Sequence, residues 1–350
     1  MNNKTPFHWI GLLLITLACC KGPNYKSSAA ITAPTPISLD TQAYRLAIDN
    51  IPVAITRTII EDQIGHIWLA TFDGLYKYDG SSFYNISRDD IFSTCFSLLE
   101  DKRKNLWIGT IGSGAFLYDG ESFQNFTTNN GLISDEVVCI YEDKSGKLWF
   151  GANGGVSIYD GKSFLNYAIL EDSIVEVKQD LITPNLQRPF KEVNSIIEDQ
   201  SGRFWVGTRG SLFHYDGNTF TKAIQQGQSF TNVRWIIEDS KGIIWFGGND
   251  GLFRYDGLYY NQITKDFVGY IYEDQSGNIW TSSETAEGWA LSRYDSKALA
   301  HNEISVTEVK NGEGMFFGMT EDAAGNIWVG KLDGVYRYDG TSFEDFKNID

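Results

Sequence analysis

Short apolar segments alternate with a recurring polar turn along most of the chain. The turn has the form Glu-Asp-x-x-Gly-x-x-Trp, although the copy at 100–107 has Lys104 in place of the glycine. The residues just before it, as at 58–60, are apolar and β-prone. Such a run followed by Asp-x-x-Gly is typical of a strand that enters a tight hairpin. The seven copies end at Trp68, Trp107, Trp149, Trp205, Trp245, Trp280 and Trp328.

A second turn follows each of these tryptophans. Tyr-Asp-Gly stands ten residues after most of them, and an aromatic residue such as Phe83 or Phe164 lies three residues past the glycine. Asp and Gly are the residues that cap a tight turn and supply a positive φ. Each copy therefore predicts four short antiparallel strands, named A to D in chain order, with tight hairpins between A and B and between C and D.

The spacing of the copies predicts a closed ring. The tryptophans recur at intervals centred near the roughly 40–45 residues of a propeller blade. We therefore expect residues 51–350 to form an all-β, seven-bladed β-propeller of four-stranded antiparallel blades, with aromatic side chains between the blades. An open β-solenoid is the rival fold, but its coils are usually shorter and it needs end caps. The sequence leaves the mode of ring closure open, and residues 42–48 could add a strand.

The repeat resembles that of the two-component regulator propeller family, I-x-E-D-x-x-G-x-x-W-x-G-T-x-x-G-L-x-x-Y-D, over residues 53–346. In that family the propellers form the periplasmic sensor region of hybrid histidine kinases and are thought to respond to glycan breakdown products. The resemblance implies the fold and a tendency to bind ligands. This sequence shows one propeller without a following membrane span, kinase or DNA-binding region, so we do not expect it to signal by itself in that manner.

Streptogramin lyases are similar seven-bladed propellers that use histidine and a metal. The histidines here are His8, His66, His214 and His301, and they do not form a matching catalytic arrangement. The acids of the two turns recur in every copy, whereas a catalytic or metal-binding pair is needed once, which favours turn capping. We therefore expect no enzyme activity, no cofactor and no metal, and a lyase is the weakest alternative.

Charge and cysteine content narrow the class of partner. The formal net charge is −16, which argues against nucleic acid because such a site needs a basic stripe. Of the 45 acidic residues, 21 stand in the repeated turns, so the remaining surface is slightly basic. Cys95 and Cys139 occupy unrelated positions of neighbouring repeats, and no disulfide framework is expected.

The N-terminus has the features of an export signal. Residues 1–19 contain Lys4 and then an apolar run that is too short to span a bilayer. The run ends in Leu-Ala-Cys-Cys, which resembles the lipobox of bacterial lipoproteins and marks Cys19 as the lipidation site; an ordinary signal peptide is the alternative. Residues 20–50 predict a flexible tether. The expected location is the bacterial cell envelope, on the periplasmic side or the outer-membrane surface, with the lipid anchor as the membrane contact.

Candidate binding residues are sought where the repeat is broken. The column three residues before each Glu of the turn is mostly small, as a crowded axis requires, but copies five and six place large aromatic residues there. The column one residue earlier contains two arginines and an asparagine, and copy six has four extra residues that carry a tryptophan off the pattern. The predicted ligand-binding residues are Arg57, Asn194, Arg234, Trp235, Tyr270 and Trp289.

These residues indicate the class of ligand. Aromatic faces beside fixed hydrogen-bond donors suit sugar rings or carboxylates. We therefore expect an envelope-anchored propeller that binds or senses a saccharide-like or anionic small ligand and could present it to a signalling partner. One alternative is a protein–protein interaction scaffold with another envelope protein as partner. Another is that the inner residues merely plug the channel.

Overall fold

The computed structural model describes residues 51–87, 94–170, 173–178 and 192–348, together with the backbone of residues 37–38. These residues form seven antiparallel sheets of at least four strands each, which confirms the seven-bladed propeller. The predicted signal peptide, the lipidation site at Cys19 and the possible strand at 42–48 lie outside the described residues. So does the predicted tether, apart from residues 37–38.

The inner half of each blade consists of strands A and B. Strand A lies nearest the axis of the ring, and strand B pairs with it. The A strands are Thr56–Glu61, Cys95–Glu100, Val137–Glu142, Val193–Glu198, Trp235–Glu238, Val268–Glu273 and Met319–Glu321. The B strands are Ile67–Thr71, Leu106–Thr110, Leu148–Ala152, Phe204–Thr208, Ile244–Gly248, Ile279–Thr285 and Ile327–Lys331.

The outer half of each blade consists of strands C and D. Each strand C pairs with B on one side and with D on the other. The C strands are Gly74–Tyr78, Ala115–Tyr118, Gly155–Tyr159, Leu212–Tyr215, Gly251–Tyr255, Gly288–Tyr294 and Gly334–Tyr338. The D strands are Phe83–Asn85, Ser122–Phe126, Phe164–Leu170, Phe220–Lys222, Tyr260–Thr264, Val306–Gly312 and Phe343–Asp345.

Extra elements extend two of the blades. A two-residue strand, Ile37–Ser38, pairs with strand D of blade 2. In blade 3 the chain that leaves strand D turns back as a fifth strand, Ser173–Val177. The long connection between blades 3 and 4 therefore begins with a strand of the sheet, and residues 171–172 and 179–191 lie outside the described residues.

Five further short elements lie outside the strands of the blades. The strands Ile224–Gln225 and Gln228–Ser229 form a separate hairpin between blades 4 and 5. In blade 6, Ser296 replaces the glycine of the C–D turn, and the helix Ser296–Ala300 begins there. Single 3-10 turns cover Thr128–Asn130 and Phe346–Asn348.

The aspartate of each Glu-Asp pair joins the A–B hairpin to the core. In blade 4, Asp199 accepts hydrogen bonds from the Arg203 amide at 3.0 Å and the Ser201 hydroxyl at 2.6 Å through one oxygen. Its other oxygen accepts the indole N–H of Trp205 at 2.8 Å. The equivalent Asp–Trp hydrogen bond occurs in all seven blades at 2.8–3.0 Å. Turn capping was predicted; the indole bond, which ties each turn to a core tryptophan, was not.

The glutamate of the same pair links neighbouring blades. Its carboxylate accepts a hydrogen bond from the first amide past the aspartate in the preceding blade, as from Gln63 to Glu100 at 3.1 Å. Seven such bonds of 2.6–3.1 Å run around the ring. The last one, from the Ala323 amide to Glu61, joins blade 7 to blade 1 at 3.0 Å. The carboxylates therefore act between blades as well as within turns.

Blade 7 packs against blade 1 through aromatic side chains, as neighbouring blades do elsewhere in the ring. Trp328 is 1% exposed, stacks on Phe346 with ring centroids 5.2 Å apart, and lies 5.2 Å from Tyr78 of blade 1. The amide of Gly318 also donates to the carbonyl of Arg57 at 3.0 Å. All four strands of blade 7 come from the last copy of the repeat, so the ring closes by packing and hydrogen bonds rather than by a shared blade.

Candidate functional site

A small cavity lies on the axis where the A strands begin. Because all A strands run in the same sense, this end carries the B–C and D–A connections; we call it the connection face and the opposite end the hairpin face. The cavity holds about 70 Å³, far less than the roughly 300–1,000 Å³ of a site that encloses a drug-sized ligand. Every blade contributes the residue four positions before the Glu of its turn, which is the column that contains the two arginines. These residues are Arg57, Phe96, Val138, Asn194, Arg234, Gly269 and Phe317.

Arg57 projects into this cavity from strand A of blade 1. Its guanidinium group lies between two aromatic rings, 4.2 Å from the centroid of Phe96 and 4.6 Å from that of Phe317. Burial, and secondarily the charge of Arg234, lower its pKa to about 10, so it stays charged at neutral pH. Its buried Nε has no hydrogen-bond partner among the described residues, and neither has the hydroxyl of Ser97 in the same lining. Buried donors without a partner are suited to bind a polar group of a ligand.

Arg234 enters the cavity from blade 5 and meets an acidic residue at the rim. Its Nη1 lies 4.0 Å from a carboxylate oxygen of Glu192, and that oxygen also lies 3.6 Å from Nη1 of Arg209. Burial lowers the pKa of Arg234, while Glu192 acts in the opposite direction. At 4.0 Å the contact is longer than a normal N–H···O bond, so Glu192 does not saturate the guanidinium.

Trp235 and Tyr270, the two large residues in the column three positions before each Glu of the turn, pack against each other. The rings of Trp235 and Tyr270 lie 4.0 Å apart with an interplanar angle of 31°. Tyr270 is buried, and burial raises its pKa, so it stays a neutral phenol. Trp235 is half-buried and keeps part of its ring at the lining. Asn194 also lines the cavity, but its amide donates to the Val233 carbonyl at 2.9 Å and thereby joins blades 4 and 5.

Trp289 does not join the other five predicted residues. The four extra residues of copy six lengthen strands B and C of that blade, and Trp289 pairs with Glu284 in the extension. Its ring lies 5.7 Å from Phe267 in an edge-to-face contact and packs on the apolar cluster between blades 6 and 7. Trp289 is not among the residues that line the axial cavity, because the insertion continues the strand register of blade 6.

The other end of the channel is apolar. A wider space of about 330 Å³ there is lined by isoleucines that include Ile60, Ile197 and Ile237, and by Tyr141 and Tyr272. Positive charge along the axis is therefore confined to the connection face, where Arg57 and Arg234 lie.

The described histidines are dispersed among the blades. His66 contacts Asp62 in the A–B hairpin of blade 1 at 3.1 Å, and His214 bonds Tyr260 between blades 4 and 5 at 3.1 Å. Neither lines the axial cavity, and His301 lies beyond the helix of blade 6. Over the described ranges, His, Cys, Asp and Glu side chains form no group of three suited to a metal.

Comparison with known proteins identifies the repeat. The model of the two-component regulator propeller matches residues 82–112, 131–154, 187–210 and 227–250. Four segments of the chain therefore match the two-component regulator propeller repeat. No curated protein is significantly similar in sequence to this chain. In the part of the chain that the structure describes, no helix has the length and apolar character of a membrane span.

Solved structures share the propeller fold. The extracellular domain of a protein described as a hybrid two-component system from B. thetaiotaomicron aligns with a TM-score of 0.64 at 24% identity, over 88% of this chain and 41% of that one. A virginiamycin B lyase from Staphylococcus aureus, solved with quinupristin, aligns at 0.60 and 11% identity, over 87% and 97%. The WD40 propeller domain of Doa1 aligns at 0.55 and 14% identity, over 83% and 94%. At these identities the likeness establishes the fold alone, and the chain spans less than half of the first structure.

Proposed function

We propose that this protein is a non-enzymatic, ligand-binding or sensing propeller of the cell envelope, and that its ligand binds at the axial cavity of the connection face. The observation that carries the proposal is the pair Arg57 and Arg234, two half-buried guanidinium groups that share one small cavity. Burying two like charges together is costly unless an anion or a set of acceptors compensates them. The extracellular placement of the propeller in a solved two-component system supports the same role.

The size of the cavity limits how a ligand binds. About 70 Å³ accommodates a single functional group or a few waters, so a saccharide-like or anionic ligand would insert one group and rest its remainder on the connection face. The half-buried ring of Trp235 lines the same cavity and would contact the inserted group. A rigid ring of strands holds these side chains in place, which limits the entropic cost of binding.

A ligand screen with matched variants tests this function. A thermal-shift screen of acidic sugars and glycans should yield a ligand, and Arg234→Ala should weaken its binding by roughly 1–3 kcal/mol, as expected for a hydrogen bond to a charged group. Arg103→Ala, an exposed arginine in a turn on the hairpin face, is the control and should bind normally. Trp289→Ala should lower the melting temperature and spare the affinity, because the ring packs between blades. Equal loss in Arg103→Ala and Arg234→Ala would place the site elsewhere.

The envelope location rests on lipidation at Cys19. Metabolic labelling with a fatty-acid analogue should mark the wild type and not Cys19→Ser. Cys20→Ser is the matched control, since that cysteine lies one position past the predicted lipidation site. Loss of label in Cys20→Ser alone would shift the site by one residue, and label retained in both variants would refute the lipoprotein assignment.

A further inference from the structure

Arg57 is restricted in the way it can bind a ligand. The guanidinium carbon lies over the Phe96 ring at 4.2 Å and over the Phe317 ring at 4.6 Å, so apolar rings occupy much of the space around the group and a partner is bound through its N–H donors. Donors that lie in one plane match the two oxygens of a carboxylate, which accept parallel hydrogen bonds in that plane. Phosphate and sulfate present a similar pair of oxygens, but a carboxylate is the smaller group and suits a cavity of about 70 Å³ better.

The neighbouring side chains add charge to this site without neutralising it. Arg57 and Arg234 line the same cavity, and Glu192 is the acidic side chain in contact with Arg234. Its carboxylate lies at 3.6 Å from Arg209, which is half exposed, and at 4.0 Å from Arg234, so its closer contact is on the outer side. The inner arginine, Arg57, forms no ion pair with the described residues, and its Nε has no hydrogen-bond partner among them.

Glu192 is positioned by its backbone rather than by these ion pairs. Its carbonyl accepts the Arg209 amide at 2.8 Å, and it forms an isolated bridge with Asn153 of blade 3. The side chain can therefore shift between Arg234 and Arg209 without a change in the strands. It presents to Arg234 the chemical group that a ligand carboxylate would present.

We propose that the group bound in the axial cavity is a carboxylate of a small organic acid or acidic sugar, held by Arg57 and Arg234, and that Glu192 is a built-in competitor which the ligand displaces towards Arg209. This inference rests on the proposed function and specifies its ligand. Glu192 sets the affinity: it partly neutralises Arg234 when the cavity holds no ligand, and it must leave Arg234 when a carboxylate binds.

Acetate is the simplest probe of this arrangement. Titration of the full chain with carbon-13 acetate, followed by NMR, should show saturable binding. Glu192→Gln should bind acetate roughly two- to fivefold more tightly, the range of a partly exposed ion pair. Arg234→Gln and Arg57→Gln should each weaken binding by about tenfold or more. Far-UV circular dichroism verifies folding, and Arg234→Gln alone carries the test if Arg57→Gln does not fold.

The matched controls are Arg103→Gln and Glu121→Gln, which make the same chemical changes at exposed positions in two turns of the hairpin face. Both should bind acetate as the wild type does. The proposal is overturned if acetate does not bind, if sulfate binds more tightly than acetate, or if Glu192→Gln leaves the affinity unchanged or weaker. If a neutral ligand from the screen depends on Arg234 while acetate fails to compete, the carboxylate inference falls and the proposed function stands. If neither depends on Arg234, both fall.

Discussion

The hydrogen bond between Asp199 and Trp205 provides a direct test of how a blade is stabilised. Trp205 is 0% exposed and Asp199 is 8% exposed, and the indole N–H donates to the carboxylate at 2.8 Å. Trp205→Phe removes the donor and leaves one carboxylate oxygen without it in a mostly buried position. Loss of a hydrogen bond to a charged group costs about 1.5–3 kcal/mol, and the smaller ring adds roughly 1–2 kcal/mol of lost apolar burial.

A double-mutant cycle separates these two contributions. Trp205→Phe, Asp199→Ala and the double variant should be unfolded in urea and followed by far-UV circular dichroism. The lost ring area enters both arms of the cycle and cancels, so the coupling energy should be about 1.5–3 kcal/mol. Trp328→Phe combined with Asp199→Ala is the control, because Trp328 bonds Asp322 in blade 7 instead. That pair should be additive within roughly 0.5 kcal/mol. A coupling below about 0.5 kcal/mol for Asp199 and Trp205 would refute the reasoning.

Two further predictions concern ring closure and pH. Trp328→Ala should destabilise the protein by about 3–5 kcal/mol in urea unfolding. Glu61→Ala removes one exposed hydrogen bond from the Ala323 amide and should cost about 1 kcal/mol or less. Equal costs for the two variants would contradict closure by packing. Stability should fall as the pH drops below about 4. Hydrogen bonds to the hairpin aspartates outweigh the opposing effect of burial and hold their pKa values below 3.8, so protonation favours the unfolded chain. A melting temperature that does not change between pH 5 and 2.5 would exclude this explanation. The aspartates concerned are Asp62, Asp143, Asp199 and Asp322.

The sequence predicted most of the fold because each blade repeats the same local signals. Seven Glu-Asp hairpins and seven Tyr-Asp turns, each with glycine in six of the seven copies, set the strand boundaries. The two-residue period of a strand decides which side chains face the axis. Arg57, Asn194 and Arg234 were found in this way, since they share one column of strand A. The bond from each tryptophan to its aspartate was missed, although both residues recur at a fixed spacing of six in every copy.

Other parts of the site depend on contacts that one repeat cannot reveal. The glutamate bonds between blades need the ring to be closed before donor and acceptor meet, as for Glu61 and Ala323. The position of Trp289 was not predictable because an insertion of four residues fits either a loop or two longer strands, and the second occurs. Glu192 was overlooked because it stands in an irregular connection. Its position two residues before Asn194 gave a signal, since residues two apart on a strand share a face.

The acidity of the chain and an anion site at its axis are compatible because the strands keep them apart. Arg57 is the second residue of strand A in blade 1, and Glu61 ends that strand four residues later, about 13 Å away at the usual rise of a strand. This exceeds the Debye length of roughly 8 Å at physiological ionic strength, so the acidic turns of the hairpin face act weakly on the cavity. Those carboxylates are also occupied by amide and indole donors within the scaffold. Glu192 is the acid that lies close enough to oppose an anion, and it contacts Arg234 loosely at 4.0 Å. A net charge of −16 therefore does not exclude an acidic ligand, because the local charge at the connection face governs its binding.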